Sequence, residues 1–243
     1  MNREIKLHGW QPGMDDVDYF ADPAISFSDM SLALKGALEY RNRKLYPLEG
    51  TALSFGSDFH NLMLFNQWPE KITPATKKHL EAMQSQLSRV SLFRDIMEKE
   101  AKMIEVPGFF NGQKIKPDLA CPDWGILIDL KTTTDASPEA FKWSARKFNY
   151  HLQAYHYLDV ANKIHMETNG FNNPVFHTFL FVAVEKSSPY TVRIHELSPG
   201  VLEAAHELKI RALNKINKFR AEGVEDLANE EQDVIHTLDF PVK

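Results

Sequence analysis

The sequence predicts an α/β fold, a central mixed β-sheet with helices on both sides. Apolar residues recur with a helical period of about 3.6 through roughly the first hundred positions, and from Met103 the period changes to about 2. No internal repeat, low-complexity segment or Gly/Pro/Ser-rich linker divides the 243 residues, so 1–243 is expected to be a single domain.

Residues 1–25 contain Pro12, Gly13, Pro23 and five acidic residues, and read as irregular. Ser26 or Ser28 can cap a helix running through Leu32, Leu34, Leu38 and Tyr40. A second helix is expected over about Leu53–Phe65, where Ala52, Gly56, His60 and Leu64 recur at i, i+4. Thr73-Pro74 is a cap-then-proline start for helical pattern reaching about Lys102, broken near Ser88–Ser91. Strands Met103–Phe110 and Gln113–Cys121 then flank Asn111-Gly112, a strong hairpin signal. Pro122-Asp123-Trp124-Gly125 turns the chain again into a strand over Ile126–Lys131. Ser137-Pro138 opens a helix to about Lys147, and another runs from about Tyr150 to Met166. Val175–Glu185 and Tyr190–Leu197 form a strand pair around Ser187-Ser188-Pro189. Pro199–Glu222 is a long closing helix, and 223–243 is a tail, acidic up to Asp239 and ending Phe240-Pro241-Val242-Lys243.

With 43% hydrophobic and 25% charged residues, the chain is too apolar for a disordered protein and too mixed for a coiled coil. No apolar run approaches the ~18 residues of a membrane span, and no basic-then-apolar leader opens the chain. The single cysteine, Cys121, excludes an internal disulfide and a four-cysteine iron–sulfur site. A reducing cytoplasm with no membrane contact is therefore expected. A net charge of −5 leaves no global basic footprint, so nucleic-acid contact would need a local cluster.

The stretch that carries chemistry is Pro117-Asp118, ten intervening residues, then Asp129-Leu130-Lys131. A turn centred between Asp123 and Trp124 sets Asp118 and Asp129 opposite each other, with Cβ atoms roughly 4.5–5.5 Å apart. Like charges there repel, whereas a hard divalent cation such as Mg²⁺ would be held by both. Lys131, two residues beyond Asp129, projects from the same strand face and can reach a water or phosphate at such a cation. Ile126 and Ile128 are expected on that face too, with Leu127 and Leu130 on the other. These residues alone fit a lysine–aspartate surface pair beside a turn equally well. His60, among Ala52, Gly56 and Leu64, likewise fits a packed core histidine as well as a ligand.

Several segments in order resemble the PD-(D/E)xK nuclease superfamily, and within it the exonuclease VIII (RecE) type of the RecB-like branch, related to lambda-type exonuclease. Thr51-Ala52-Leu53, Gly56 and Phe59-His60 resemble its G-x-x-x-H helix. Lys116-Pro117-Asp118 resembles its acidic strand, and Ile128-Asp129-Leu130-Lys131-Thr132-Thr133 its catalytic strand. Tyr150-His151-Leu152-Gln153-Ala154-Tyr155-His156-Tyr157 resembles its Q-x-x-x-Y helix. The resemblance spans roughly residues 26–200 and implies a restriction-endonuclease-like domain. It also implies metal ligation by His60, Asp118, Asp129 and the Leu130 carbonyl, with Glu105 as an additional acidic ligand. Lys131 would orient or activate the attacking water, and Gln153 and Tyr157 would support the scissile phosphate.

The implied activity is Mg²⁺-dependent (alternatively Mn²⁺-dependent) hydrolysis of linear duplex DNA, 5′→3′, leaving 3′ overhangs for recombination and repair. The implied partners are DNA, a single-strand annealing protein and further copies of the chain in a closed ring. Lys142, Arg146 and Lys147 after the catalytic strand, and Lys35, Arg41, Arg43 and Lys44 near the first helix, are the candidate phosphate contacts. The alternatives are an endonuclease or single-strand nuclease of the same superfamily, and a DNA-binding or assembly protein without turnover.

Overall fold

The computed structural model describes residues 7–46, 50–170 and 173–232. Two short elements lie in the segment expected to be irregular, β1 (Gly9–Trp10) and α1 (Asp16–Ala21). The Asp15 side chain caps α1 by accepting the Asp18 N–H at 2.8 Å. The helix predicted from Ser26 to Tyr40 is two helices, α2 (Phe27–Lys35) and α3 (Ala37–Leu45). Ser26 opens α2 through a reciprocal cap with Asp29. The chain restarts at Gly36 because the first N–H groups of α3, from Ala37 and Leu38, donate to the Glu231 carboxylate at 2.8 and 2.7 Å. That cap comes from 194 residues away and has no local signal.

Three helices follow, α4 (Thr51–Phe65), α5 (Pro74–Leu87) and α6 (Ser91–Met97). The break falls where Ser88–Ser91 predicts it, and the helical run stops at Met97 rather than Lys102. Next come β2 (Met103–Ile104), β3 (Gly108–Phe110), β4 (Gln113–Ile115), β5 (Leu119–Cys121) and β6 (Ile126–Thr133). The chain continues through α7 (Pro138–Lys147), α8 (Tyr150–Asn169), β7 (Thr178–Glu185), β8 (Val192–Glu196), α9 (Pro199–Glu222) and α10 (Val224–Gln232). α10 occupies the segment expected to be a tail, and the Phe240–Lys243 end lies outside the described residues. Among the described residues no helix is long and apolar enough to cross a membrane.

The predicted Asn111-Gly112 hairpin is present. Phe110 faces Gln113 across Asn111 (φ 46°) and Gly112 (φ 71°), the left-handed pair that a two-residue hairpin turn requires. Its two arms are not continuous strands, however. Near the turn, β3 and β4 join β1 in a three-stranded sheet, while β2 and β5 belong to a five-stranded sheet. Gly108↔Ile115 and Met103↔Ala120 follow one register, so pairing resumes in step after the gap. The interruption coincides with Glu105 at φ 46° and with Pro107 and Pro117, which have no N–H for the ladder.

The larger sheet has the order β2-β5-β6-β7-β8 and is mixed, with β6 and β7 parallel and the other pairs antiparallel. A parallel pair needs a long crossover, which α7 and α8 supply. On one face Ile128, Leu130, Leu180 and Val182 pack with Phe59 and Leu62 of α4 and Leu80 and Met83 of α5. On the other, Leu127, Phe179 and Phe181 pack with Phe141 of α7 and Ala154 and Val160 of α8. Strict alternation thus places Leu127 with Asp129 and Lys131, and Ile126 and Ile128 on the opposite face with Leu130. This corrects the expected grouping. A third core, built from Met30, Ala33, Leu152, Ile216, Phe219 and Ala228, joins α2, α8, α9 and α10.

Candidate metal centre and active site

β5 and β6 pair as Leu119↔Ile128, Ala120↔Leu127 and Cys121↔Ile126. One more step of that register puts Asp118 opposite Asp129. The turn that sets it runs through Pro122–Trp124 and closes on Gly125 at φ 65°. A Cβ at Gly125 would lie 2.5 Å from the Val175 carbonyl and 2.1 Å from the His177 ring, so only glycine lets these segments meet. β6 is covered on both faces and is apolar from Ile126 to Leu130 except for Asp129, with Lys131 next in line. Burying such charges costs several kcal/mol unless they are paired or bind a cation, and apolar packing alone supplies neither.

The elements converge where the hairpin is interrupted. A nitrogen of His60 from α4 and carboxylate oxygens of Glu105 and Asp118 lie within 4.8 Å of one another. His60 Nδ1 is 3.4 Å from Asp118 Oδ1 and 3.9 Å from Glu105 Oε1, and Nε2 is 3.1 Å from the Leu130 carbonyl. The Leu130 N–H donates to Asp118 Oδ2 at 2.5 Å. Four of the five expected ligands are thereby brought together, and the left-handed φ of Glu105 is part of how its side chain enters the cluster. Asp129 stands beside this trio rather than in it. Its Oδ1 accepts from the Gln153 amide of α8, and its Oδ2 lies 2.6 Å from Lys131 Nζ.

Gln153 Oε1 is buried without a hydrogen bond, and Asp129 Oδ2 is buried with only the Lys131 ammonium facing it. One imidazole and the three carboxylates of Glu105, Asp118 and Asp129, with a buried amide oxygen left open beside them, fit a hard divalent cation. Tyr157, one turn beyond Gln153 on α8, is buried as well and lines a groove next to the cluster.

The charges hold one another. Burial disfavours the His60 imidazolium, but the Asp118 carboxylate, with Asp129 behind it, outweighs burial and raises the pKa to about 9. Burial likewise works against Asp118, yet His60 and Lys131 keep its carboxyl below the usual range. Burial pushes the Asp129 carboxyl up, Lys131 pulls it back, and Asp118 opposite pushes it further up. Lys131 remains an ammonium, because Asp129 outweighs the penalty of burial. Burial keeps Tyr157 a neutral phenol.

A raised histidine pKa stabilises the fold fully below the unfolded value of about 6.5, and that contribution disappears as pH rises through the folded value. Metal-free protein is therefore expected to lose about 3 kcal/mol between pH 6.5 and pH 9.5 through His60. Urea unfolding in EDTA across that range measures it, and His60→Gln should flatten the slope.

The groove beside Tyr157 has a volume of about 750 Å³ and is lined by Arg43, Lys44, Lys114 and Lys116 together with Phe20 and Phe27. Lys116 spans from Glu105 (2.8 Å) to Asp16 (2.5 Å) and so links the cluster to the groove. Lys114 donates to the carbonyls of Tyr19 and Asp22 and fastens α1. Of the DNA contacts expected from sequence, Lys35 is exposed at the end of α2 and does not line this groove. Lys142 and Arg146 line a separate groove with Phe141, His195 and Val201. Lys147 lies 5.3 Å from the Phe148 ring, which stacks on Tyr150, whose ring is 4.7 Å from Lys131 Nζ. Sequence reasoning missed Lys114, Lys116 and Tyr150. The lysines alternate along β4 and its exit, but nothing local shows that α1 closes over them.

Residues 27–237 match a family described as a PDDEXK-like domain of unknown function (DUF3799). No curated protein matches the chain. Among solved structures, the fold is similar to that of a "putative exonuclease" from Eubacterium rectale, with a TM-score of 0.61 at 16% identity, covering 96% of this chain and 97% of that one. A phage related exonuclease from Haemophilus somnus 129PT aligns at 13% identity over 85% of this chain and 99% of that one, with a TM-score of 0.43. The interrupted hairpin, the opposed aspartates and the lysine two residues on agree with a family match over most of the sequence: the chain belongs to the PDDEXK-like family DUF3799, within the PD-(D/E)xK nuclease superfamily.

Proposed function

We propose that the protein is a metal-dependent exonuclease that shortens linear duplex DNA, 5′→3′, leaving 3′ overhangs for recombination and repair in the cytoplasm. The observation that carries the reading is the charge arrangement in doubly covered β6. Asp118 and Asp129 are set opposite each other, with Lys131 2.6 Å from Asp129. An assembly protein without turnover gains nothing from holding two carboxylates this way.

His60, Glu105, Asp118, Asp129 and the Leu130 carbonyl would hold Mg²⁺, or Mn²⁺ in its place. A divalent cation held there would lower the pKa of a water and draw charge from the phosphate. Lys131, as an ammonium, has no lone pair with which to accept a proton. It donates to the attacking oxygen, fixes its direction, and offsets negative charge building on the phosphate. Gln153 keeps Asp129 in orientation through its amide N–H and leaves its own carbonyl free for a further donor. Tyr157, protonated, can donate to a phosphate oxygen lying in the groove. Arg43 and Lys44 at the groove, and Lys147 beyond Phe148, would contact phosphates near the cleavage point. Lys35, Lys142 and Arg146 would contact DNA farther from the cleavage point. A homo-oligomeric ring and a single-strand annealing protein complete the expected assembly.

Digestion of linear and covalently closed circular duplex DNA, with Mg²⁺ or with EDTA, tests the reading. Loss of the linear substrate alone, only with metal, is the expected result. Cutting of the circle would replace the exonuclease with an endonuclease. Inertness toward both DNAs, with DNA binding retained, would make this a binding module.

A further inference from the structure

Lys131 is held on two sides. Its ammonium lies 2.6 Å from Asp129 Oδ2, and it also sits 4.7 Å from the centre of the Tyr150 ring. Tyr150 opens α8, and its ring is fixed by stacking on Phe181 at 5.2 Å and Phe148 at 5.8 Å and by a tilted contact with Phe141 at 5.8 Å. The preceding Asn149 adopts a left-handed backbone, and its side chain donates to Ser31 of α2 at 3.1 Å, which anchors the start of the helix.

We infer that Tyr150 is a positioning residue for Lys131, acting through the face of its ring. The inference rests on the nuclease reading above and concerns which group keeps the lysine in place. Asp129 cannot do so alone if Oδ2, the oxygen that faces Lys131, is a metal ligand. Once that oxygen turns to a cation, the ammonium loses its counter-charge and meets a second positive centre. An aromatic face attracts an ammonium through its quadrupole, carries no charge for the metal to compete for, and is unaffected by what Asp129 binds. The ring therefore keeps Nζ beside the reacting oxygen in both states, and its stacked neighbours keep the ring from following the lysine.

The test grades the ring face while its size stays nearly constant. Tyr150 is replaced by Phe and, through suppression with synthetic amino acids, by mono- and trifluorophenylalanine. Tyr150→Phe is expected to keep kcat within about threefold, because the hydroxyl is not used. The fluorinated series should lower kcat in steps, by about tenfold in total, with KM nearly unchanged. A residue that only fills space would leave kcat flat across the series, and that result would overturn the inference.

A second measurement does not depend on turnover. With side-chain ¹³C-labelled lysine, the Lys131 Hε resonance, identified by its loss in Lys131→Met, should be shifted upfield by the ring. It should stay shifted when Mg²⁺ is added and return to the ordinary lysine position in Tyr150→Leu. Loss of the shift on Mg²⁺ addition would also overturn the inference. If the wild type lacks metal-dependent hydrolysis, the nuclease reading fails, and the resonance alone decides whether the ring holds the ammonium.

Discussion

Asp129→Asn is expected to lower metal-dependent hydrolysis on the order of 10³-fold and to leave the fold intact. Asparagine has the same shape and can still accept the Gln153 hydrogen bond, so the packing of β6 against α8 is preserved. What it loses is the anionic oxygen that faces Lys131 and would complete the cation site. Asp118→Asn should be as inactive but less stable by about 1–3 kcal/mol near neutral pH, because it removes the nearest counter-charge of the His60 imidazolium and leaves only Glu105 at 3.9 Å. Gln153→Leu removes the hydrogen bond that orients Asp129 and should cost about 10–100-fold. Initial rates on linear DNA, with far-UV circular dichroism and thermal midpoints, separate the three. An active Asp129→Asn enzyme would remove this carboxylate from the mechanism.

Phe181→Ala should destabilise the protein by about 3–5 kcal/mol. Phe181 is fully buried in the central parallel pair, directly beside Asp129 in register, and its ring meets Phe141, Tyr150 and Phe179 at 5.7, 5.2 and 4.9 Å. Truncation removes transfer free energy and leaves a cavity that neighbours from three elements cannot close together. Urea unfolding should show a lower midpoint at an unchanged slope. A cost below about 1 kcal/mol would mean that the sheet relaxes around the gap.

Much of this architecture is written in short-range signals. Ser26, Thr73 and Ser137 cap helices where the capping rules place them. Asn111-Gly112 and Pro122–Gly125 turn the chain where residues tolerant of a left-handed backbone occur. Because a β-ladder advances in fixed steps, the position of the second turn is enough to oppose Asp118 and Asp129. The same stepping rule, misapplied, puts Ile126 and Ile128 on the wrong face.

The long hairpin illustrates the limit. Its turn and register can be read from the residues, but its division between two sheets cannot. Pro107 and Pro117 are the visible cause of the gap, yet which arm joins which sheet depends on β1 and β6 arriving from elsewhere. Gly36 is similar: the helix break there depends on a carboxylate from α10.

Residue order alone thus dictates the α/β class, the turns, the caps, and the pairing that faces one aspartate with another two residues before a lysine. These follow from dihedral preferences and hydrogen bonds whose reach is a few residues. Tertiary packing was needed to bring His60 to the Leu130 carbonyl across 70 residues, to turn Glu105 into the same cluster, and to lay the Tyr150 ring beside Lys131. Those contacts are set by how α4 and α8 bury their apolar faces against opposite sides of one sheet. That burial is non-directional and depends on the whole chain, so no local pattern encodes it.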